Sequence, residues 1–132
     1  MKRATRASAR AVLFRAYVAG LFDGEGCIWW DRTPRISITS CNPNYLVQIK
    51  ARFGFGRVRL ASRPSWPSRA SFQYQASGRN ALNFLTQIQP FLTEKRYQAN
   101  ILFTLVRAAP KSRLRTAMIR ELATAKRVNH AG

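Results

Sequence analysis

The chain has 132 residues, of which 23 are Lys or Arg and five are Asp or Glu, so its formal charge is +18. This length suits one domain with a core, and no apolar run reaches the ~20 residues of a membrane span. So large an excess of positive charge destabilises a compact chain by self-repulsion unless a polyanion neutralises it. Nucleic acid is therefore the expected partner. A membrane surface is the alternative, but the basic residues are spread over every segment rather than along one amphipathic helix.

The N-terminal sequence and the few cysteines and histidines exclude further classes. A secretion signal needs an unbroken apolar stretch, which Arg10 and Arg15 interrupt, so we expect an intracellular protein in which Cys27 and Cys41 are reduced. Two cysteines and one histidine are too few for a tetrahedral zinc site in one chain. His130 lies in a predicted frayed tail, residues 129–132, which leaves no internal histidine for catalysis.

The first half of the chain predicts α-β-β-α. Residues 1–8 are a basic arm, and residues 9–128 form the single domain. A helix runs from about residue 9 to 23, and glycines end it. Two strands follow within 27–40, joined at Thr33-Pro34, and Asn42-Pro43 begins a helix that Gly54 ends. The first helix carries one apolar stripe, made of Val12, Leu13, Ala16, Tyr17, Gly20 and Leu21.

The second half repeats the pattern and adds helices. Strands at about 57–60 and 71–75 flank a loop rich in Ser, Pro and Arg, and a helix then runs to Pro90. Two more helices are predicted, at about 95–108 and from Pro110 to about Arg127. The order α-β-β-α-β-β-α-α-α predicts an α+β fold, a four-stranded antiparallel sheet with helices on one face.

Polar and apolar residues alternate along these strands, so one sheet face is open to solvent or to a ligand. Arg35, Ser37 and Thr39 alternate with Ile36 and Ile38. Arg, Gln, Ser and Thr side chains are suited to base edges in a major groove, which admits a β-ribbon, although any solvated sheet face shows such alternation. The residues expected to contact DNA from this face and the adjoining loops are Trp29, Asp31, Arg32, Arg35, Ser37, Thr39, Arg57, Arg59, Arg63, Arg69, Ser71, Gln73 and Gln75.

Two of the five acids stand at the end of the first helix. Asp23 and Glu25 alternate with Gly24 and Gly26, and the helix end adds free carbonyls and the negative end of its dipole. Carboxylates repel each other there unless a cation or capped N–H groups are present. The pattern therefore leaves two interpretations, a hard-cation site with oxygen ligands or a capped turn with solvated acids.

The segment Val18-Ala-Gly-Leu-Phe-Asp-Gly-Glu-Gly26 resembles the signature of the LAGLIDADG homing endonucleases. The stretches from Asn83 to Leu92 and from Gln98 to Asn100 resemble the single-motif, homodimeric members of that family. The resemblance covers about residues 10–108. It implies a homodimer, packed through Ala16, Ala19, Gly20 and Asp23, that cuts both strands of a long pseudo-palindromic DNA site and serves intron mobility.

The resemblance also implies roles at the helix end. Glu25 and the carbonyl of Gly24 would bind Mg²⁺, with Mn²⁺ as a substitute and no organic cofactor, and Asp23 would support the site by capping N–H groups. Glu stands at position 25 where the family more often has Asp. Lys95 would lie near the scissile phosphate, its alternative being a solvated lysine at a helix start. Ser40 or Asn42 would order water, although Asn42 is also explained as a helix cap.

Counting from Glu25 in steps of two places Cys27, Trp29 and Asp31 on the open face, with Ile28 and Trp30 in the core. Trp29 then contacts a thymine methyl or a sugar, unless a bulge turns it inward. Asp31 either accepts from a cytosine amino group or pairs with Arg32 or Arg35. Two other activities remain open, a DNA-binding regulator that does not cut and an RNA maturase on the same fold.

Overall fold

The computed structural model describes the backbone of residues 6–131 and the side chains of residues 8–126. Residues 1–5 of the expected basic arm and the end of the expected tail lie outside the described residues. In chain order the elements are α1 (Arg6–Glu25), β1 (Gly26–Trp30), β2 (Pro34–Ser40), α2 (Pro43–Phe53), β3 (Arg57–Ser62), β4 (Ser71–Ser77), α3 (Arg79–Ile88), a 3-10 turn (Gln89–Phe91), α4 (Arg96–Arg107) and α5 (Arg113–Ala131).

The sequence signals at the ends of α2 act as expected. The side chain of Asn42 accepts a hydrogen bond from the backbone N–H of Asn44, Pro43 occupies the first turn, and Gly54 ends the helix at φ 85°. Glycine adopts such a left-handed φ at no steric cost because it has no Cβ, and the N–H of Gly54 donates to the carbonyl of Lys50. The chain therefore enters and leaves α2 at the predicted residues.

The four strands form one antiparallel sheet in the order β1-β2-β4-β3. The β1–β2 register runs without interruption from Gly26 opposite Ile38 to Trp30 opposite Pro34. The alternative of a bulge in β1 is therefore wrong, and Trp29 shares the face of its partner Arg35. The predicted α+β class and the four-stranded sheet are confirmed.

The core lies between one sheet face and the helices packed on it. Helices α1, α2 and α3 contact the sheet, while α4 and α5 pack on each other beside β1. Ile28, Ile36, Ile38 and Tyr74 are 0% exposed, as the alternation predicts. The Tyr74 hydroxyl donates to the carbonyl of Phe55 at 2.9 Å, so this polar group is satisfied at the core's edge.

Two helix ends differ from their predicted positions. The first helix begins at Arg6, earlier than predicted, and Pro90 lies in a 3-10 turn after α3 rather than at its last residue. Cys27 and Cys41 are unpaired. In the part of the chain that the structure describes, no helix has the length and apolar character needed to cross a membrane.

Candidate nucleic-acid interface and acidic centre

One side of α1 lies on the protein surface. Leu13 is 70% exposed and Tyr17 50%, and the exposed Gly20 and Gly24 continue that side at helical spacing. A Cβ added to either glycine would meet no atom of the described residues within 4 Å, apart from its own stretch of helix backbone. The ring of Tyr17 packs against Tyr45 of α2, with centroids 6.1 Å apart. We call Leu13, Tyr17, Gly20 and Gly24 the α1 stripe; it runs toward the two acids.

The opposite side of α1 belongs to the chain's own core. Val18, Ala19 and Phe22 are 0% exposed. The expectation that Ala19 contacts a second copy is therefore wrong, because helical periodicity turns it toward the sheet. Of the other small residues expected there, Ala16 is half-buried and Gly20 is exposed.

Asp23 fixes the chain segment that precedes α4. Its Oδ2 accepts hydrogen bonds from the backbone N–H and the hydroxyl of Thr93, both at 2.9 Å, and its Oδ1 accepts the N–H of Lys95 at 2.9 Å. These donors lie at a helix start, where backbone N–H groups lack intrahelical partners. Asp23 thus caps the start of α4 from the end of α1.

Lys95 is buried between the two helix ends. Only 8% of it is exposed, and its Nζ donates to the main-chain carbonyl of Asp23 at 2.7 Å. A cation is favourable there, because the last carbonyls of α1 carry the negative end of the helix dipole. The alternative of a solvated lysine is therefore wrong.

Glu25 is the last residue of α1 and is exposed, as is Gly24. Within the residues that the structure describes, no hydrogen bond or ion pair engages the Glu25 carboxylate, and no three Asp, Glu, His or Cys side chains gather into a metal-binding group. One chain therefore offers a carboxylate and the Gly24 carbonyl as oxygen donors, and a cation would need its other ligands from water, a phosphate or a second copy.

Gly26 follows Glu25 and has no room for a side chain. A Cβ built there would overlap the ring and the carbonyl of Phe22, a fully buried residue. Phe22 in turn packs against Phe84 of α3, with ring centroids 5.5 Å apart. The turn from α1 into β1 is thus packed against the core, and this packing holds the backbone of Glu25 in place.

A small cavity of about 130 Å³ lies between the end of α1, the start of α4 and α5. Two of its lining residues, Gln98 and Lys126, are candidate functional residues that sequence reasoning missed. Gln98 is only 2% exposed, and Lys126 comes from α5, beyond the region that the sequence resemblance covers. No sequence spacing connects α5 with α1, so no signal in the sequence brings Lys126 to this cavity. The full lining is Asp23, Gly24, Gly26, Cys27, Glu94, Lys95, Gln98 and Lys126.

Polar residues form cross-strand rows on the open sheet face. Ser37 pairs with Cys27 on one side and Gln75 on the other, and Gln75 pairs with Arg57. In the next row, Thr39, Gln73 and Arg59 lie side by side. The registers thus bring together predicted residues of β2, β3 and β4, and Trp29 of β1 lies opposite Arg35 in the adjoining row. Ser37 is only 3% exposed, so its expected contact with DNA is not available on this surface.

Gln73 is the centre of a hydrogen-bond network on this face. Its Nε2 donates to Thr39 at 3.4 Å, and its Oε1 accepts from Gln75 at 2.7 Å and from Arg59 at 3.5 Å. Such contacts hold the side chains in one arrangement before any ligand binds, which lowers the entropy cost of binding. An open groove of about 460 Å³ extends along the face toward Trp29 and Asn80.

An ion pair lies at the β1–β2 turn. Asp31 pairs with Arg35 at 3.7 Å, and both are partly exposed. The Nε atom of Arg35 is buried and makes no hydrogen bond within the described residues. Arg32 is exposed in the turn at φ 63° and is not the partner of Asp31.

The remaining predicted contacts lie on the hairpin β3–β4 and its loop. Arg57, Arg59, Arg63 and Arg69 are all exposed. The hydroxyl of Ser71 lies 2.6 Å from that of Ser62, so this pair closes the base of the loop. The arginines therefore form a positive edge beside the open face.

Ser40 and Asn42 serve the start of α2. The Oγ of Ser40 accepts the backbone N–H of Asn42, and the Oδ1 of Asn42 accepts that of Asn44, both at 3.0 Å. Each oxygen thus already has a backbone donor, and the geometry explains both residues as capping residues. An additional role in ordering water stays a prediction.

No family model and no curated protein matches the chain. The crystal structure of the homing endonuclease I-CvuI in complex with its target superposes over 93% of this chain and 83% of that one, at 19% identity and a TM-score of 0.63. The archaeal intron-encoded homing endonuclease I-Vdi141I, complexed with DNA, gives a TM-score of 0.66 at 21% identity, over 86% and 84% of the two chains.

The chain has the homing-endonuclease fold. The resemblance to the LAGLIDADG family drawn from the α1 motif is thereby confirmed at the level of the fold. Meganuclease I-SmaMI, bound to uncleavable DNA, matches with a TM-score of 0.56 and 14% identity. That match covers 85% of this chain but only 43% of I-SmaMI, so a homing-endonuclease fold of the present size spans less than half of the longer protein.

Proposed function

We propose that this protein is a site-specific, double-strand DNA endonuclease that acts as a homodimer and requires a divalent cation. The observation that carries the proposal is the position of Glu25, an exposed carboxylate without a described partner at the end of the α1 stripe. A charge of +18 and an open polar sheet face supply the DNA-binding surface beside it. The homing-endonuclease fold, seen in the DNA complexes of I-CvuI and I-Vdi141I, supports the same conclusion.

The α1 stripe is the proposed interface between two copies. Leu13 and Tyr17 supply apolar area, and Gly20 and Gly24 let a second helix approach closely. Packing two stripes about a two-fold axis would bring both copies of Glu25 to one end of the interface. The dimer would then have two Glu25 carboxylates there, where a single chain has one. The match of this chain to less than half of I-SmaMI agrees with a unit that needs a second copy.

The oxygen donors at this end suit a hard cation. Glu25 and the carbonyl of Gly24 would hold Mg²⁺ or Mn²⁺, which keep several water ligands and need few protein ones. When bound, such an ion lowers the pKa of water and stabilises negative charge on a phosphate. Asp23 is excluded from direct ligation in this scheme, because its carboxylate accepts the donors at the start of α4.

The chain's own cation beside these donors is Lys95. Its ammonium is held on the Asp23 carbonyl at 2.7 Å, in a site that is 8% exposed. A cation held in a buried site stabilises the negative charge that develops on a phosphate more than a mobile surface lysine does, because its side chain and the surrounding solvent need little reorganisation. We therefore assign Lys95 to charge stabilisation near the scissile phosphate.

The test is cleavage of a randomised duplex pool by the purified protein, with Mg²⁺ present or removed by EDTA, followed by sequencing of all new ends. We expect ends at one pseudo-palindromic sequence, only with the metal. Tight binding of a selected duplex without any metal-dependent cut would instead support a DNA-binding regulator. Preferential binding of structured RNA over duplex DNA would support a maturase.

The decisive variant is Glu25→Gln, which keeps the shape of the side chain and removes its charge. Cutting should be abolished while affinity for the selected duplex changes little. Glu121→Gln is the matched control, because Glu121 is an acid on α5 whose carboxylate accepts from Tyr97 at 2.8 Å. Loss of DNA binding in Glu25→Gln, with Glu121→Gln unaffected, would make Glu25 a structural residue.

A further inference from the structure

The loop between β3 and β4 presents an exposed tryptophan on a fixed support. Ser65 donates its N–H to the carbonyl of Ser68 at 3.1 Å, and the N–H of Ser68 donates back to Ser65. Trp66 and Pro67 occupy the centre of this turn, and the Ser62–Ser71 hydroxyl pair closes the loop's base. The loop is therefore held at both its base and its tip.

The Trp66 side chain is 97% exposed, more than any other large hydrophobic residue described. Tryptophan is among the more buried residue types in folded proteins, and a large exposed apolar group commonly marks a contact surface. Among the residues that the structure describes, none packs on Trp66 closely enough to account for its place at the tip.

The charge of the surrounding hairpin identifies the partner. The segment 57–77 contains four arginines and neither Asp nor Glu. Arg63 and Arg69 flank the turn and are exposed, and Arg57 and Arg59 continue the same edge into the open sheet face. A purely positive rim around an exposed indole is complementary to a polyanion with apolar faces, and DNA bases between phosphates are such a surface.

We propose that Trp66 is a DNA-contacting wedge. Its indole packs against a base step of the duplex at the end of the hairpin, while Arg63 and Arg69 contact the phosphates on either side. The inference rests on the proposed duplex binding and adds to it an apolar contact outside the acidic centre and the polar face. Because the backbone of the turn is held by the Ser65–Ser68 hydrogen bonds, the loop loses little backbone entropy when the indole makes its contact.

The first test compares binding of Trp66→Ala, Trp66→Phe and Leu114→Ala to a duplex selected from a random pool by the wild-type protein. Leu114 is the matched control, an apolar residue 51% exposed on α5. We expect Trp66→Ala to weaken binding about tenfold for each copy in the proposed dimer, and so about a hundredfold in total, within the range of base–aromatic stacking. Trp66→Phe should keep most of the affinity. Leu114→Ala should bind like the wild type.

The salt dependence of binding distinguishes the contribution of the indole from that of the two arginines. The loss in Trp66→Ala should be the same factor at 50 and 200 mM salt, because no phosphate contact is removed. Arg63→Gln and Arg69→Gln should each flatten the dependence of log affinity on log salt by about 1.8, because each removes one phosphate contact from both copies of the proposed dimer, at about 0.9 per contact. A change of slope in Trp66→Ala would mean that the variant displaces the arginines and that the indole makes no contact of its own.

Fluorescence supplies a direct readout, since Trp66→Phe leaves only Trp29 and Trp30. The difference between the wild-type and Trp66→Phe spectra reports the Trp66 indole, which acrylamide should quench in the free protein and not in the complex. An indole still quenched in the complex, with Trp66→Ala binding like Leu114→Ala, would overturn the wedge while leaving duplex binding intact. A change in self-association alone would assign the turn to contact between copies, and failure of the wild type to bind any duplex would defeat the proposed function itself.

Discussion

Asp23 and Lys95 bind each other twice across 72 positions of sequence. The carboxylate of Asp23 accepts the backbone N–H of Lys95 at 2.9 Å, and the ammonium of Lys95 donates to the main-chain carbonyl of Asp23 at 2.7 Å. The end of α1 and the start of α4 are thereby joined as one unit. Glu25 lies two residues beyond Asp23, so these contacts also hold the backbone from which its side chain projects.

Asp23→Ala should lower the free energy of unfolding by about 2 kcal/mol, because the N–H and hydroxyl of Thr93 and the N–H of Lys95 lose one acceptor together. Urea denaturation followed by circular dichroism measures the loss. Asp31→Ala is the matched control, since it removes an exposed ion pair worth at most about 1 kcal/mol. Equal losses in the two variants would show that capping by Asp23 contributes little.

Lys95→Met should separate cleavage from binding. Methionine fills a similar volume and removes the ammonium, so the affinity for a selected duplex should stay within about threefold of the wild type. The cleavage rate should fall by a factor of about 10² to 10³, the usual cost of removing a fixed stabilising group. Single-turnover cleavage with saturating protein measures that rate.

A second lysine variant controls for net charge. Lys50→Met removes one positive charge from an exposed position on α2. It should leave the single-turnover rate unchanged. Equal falls in the Lys50 and Lys95 variants would attribute the effect to overall charge and remove Lys95 from the reaction.

The faces of the strands could be predicted because polar and apolar residues alternate along them. The alternation of Arg35, Ser37 and Thr39 with Ile36 and Ile38 gave the buried positions, and the registers align these polar residues with Gln73 and Gln75. Period-two counting also placed Trp29 on the open face, and the register puts it opposite Arg35 of that face. Local pattern predicts the face of a strand residue, because a strand has only two faces, but it does not predict exposure: Ser37 on the polar face is 3% exposed, and Leu60, expected in the core, is 46% exposed.

The α1 helix could not be assigned in the same way. Its apolar residues cover more than one face, and composition alone does not say which of them meets the chain's own sheet. Val18 and Phe22 face the core, whereas Leu13 and Tyr17 are exposed, and Ala19 was expected on the wrong side. The burial of Lys95 also could not be predicted, because it depends on contact with a helix end 72 residues away.

Gly20→Leu should separate folding from dimerisation. In the single chain a Cβ at Gly20 meets no described atom within 4 Å beyond its own helix backbone, and leucine favours a helix over glycine by about 0.8 kcal/mol. We therefore expect an equal or higher unfolding free energy in the monomer, together with loss of the dimer and of cleavage. Sedimentation velocity at several protein concentrations, with urea denaturation on the same samples, gives both results.

Gly26→Ala is the opposite case in the same motif. A Cβ at Gly26 overlaps the ring and carbonyl of the buried Phe22, so the backbone must shift where α1 meets β1. This variant should lose about 2 kcal/mol or more of stability, as overpacked core sites do. A Gly20→Leu protein that still dimerises, with Gly26→Ala destabilised as expected, would place the interface elsewhere than on the α1 stripe.

Salt should change the two equilibria of this protein in opposite directions. Two copies of charge +18 repel each other, and the α1 stripe that joins them is apolar, so raising salt from 0.05 to about 0.5 M should strengthen the free dimer by screening that repulsion. The same change should weaken DNA binding steeply, with a log–log slope of about −0.9 for each phosphate contacted. Analytical ultracentrifugation follows the first equilibrium and fluorescence anisotropy of a labelled duplex follows the second, while Gly20→Leu should remain monomeric at every salt concentration. A free dimer that dissociates as salt rises would mean that ion pairs, and not the α1 stripe, hold the copies together.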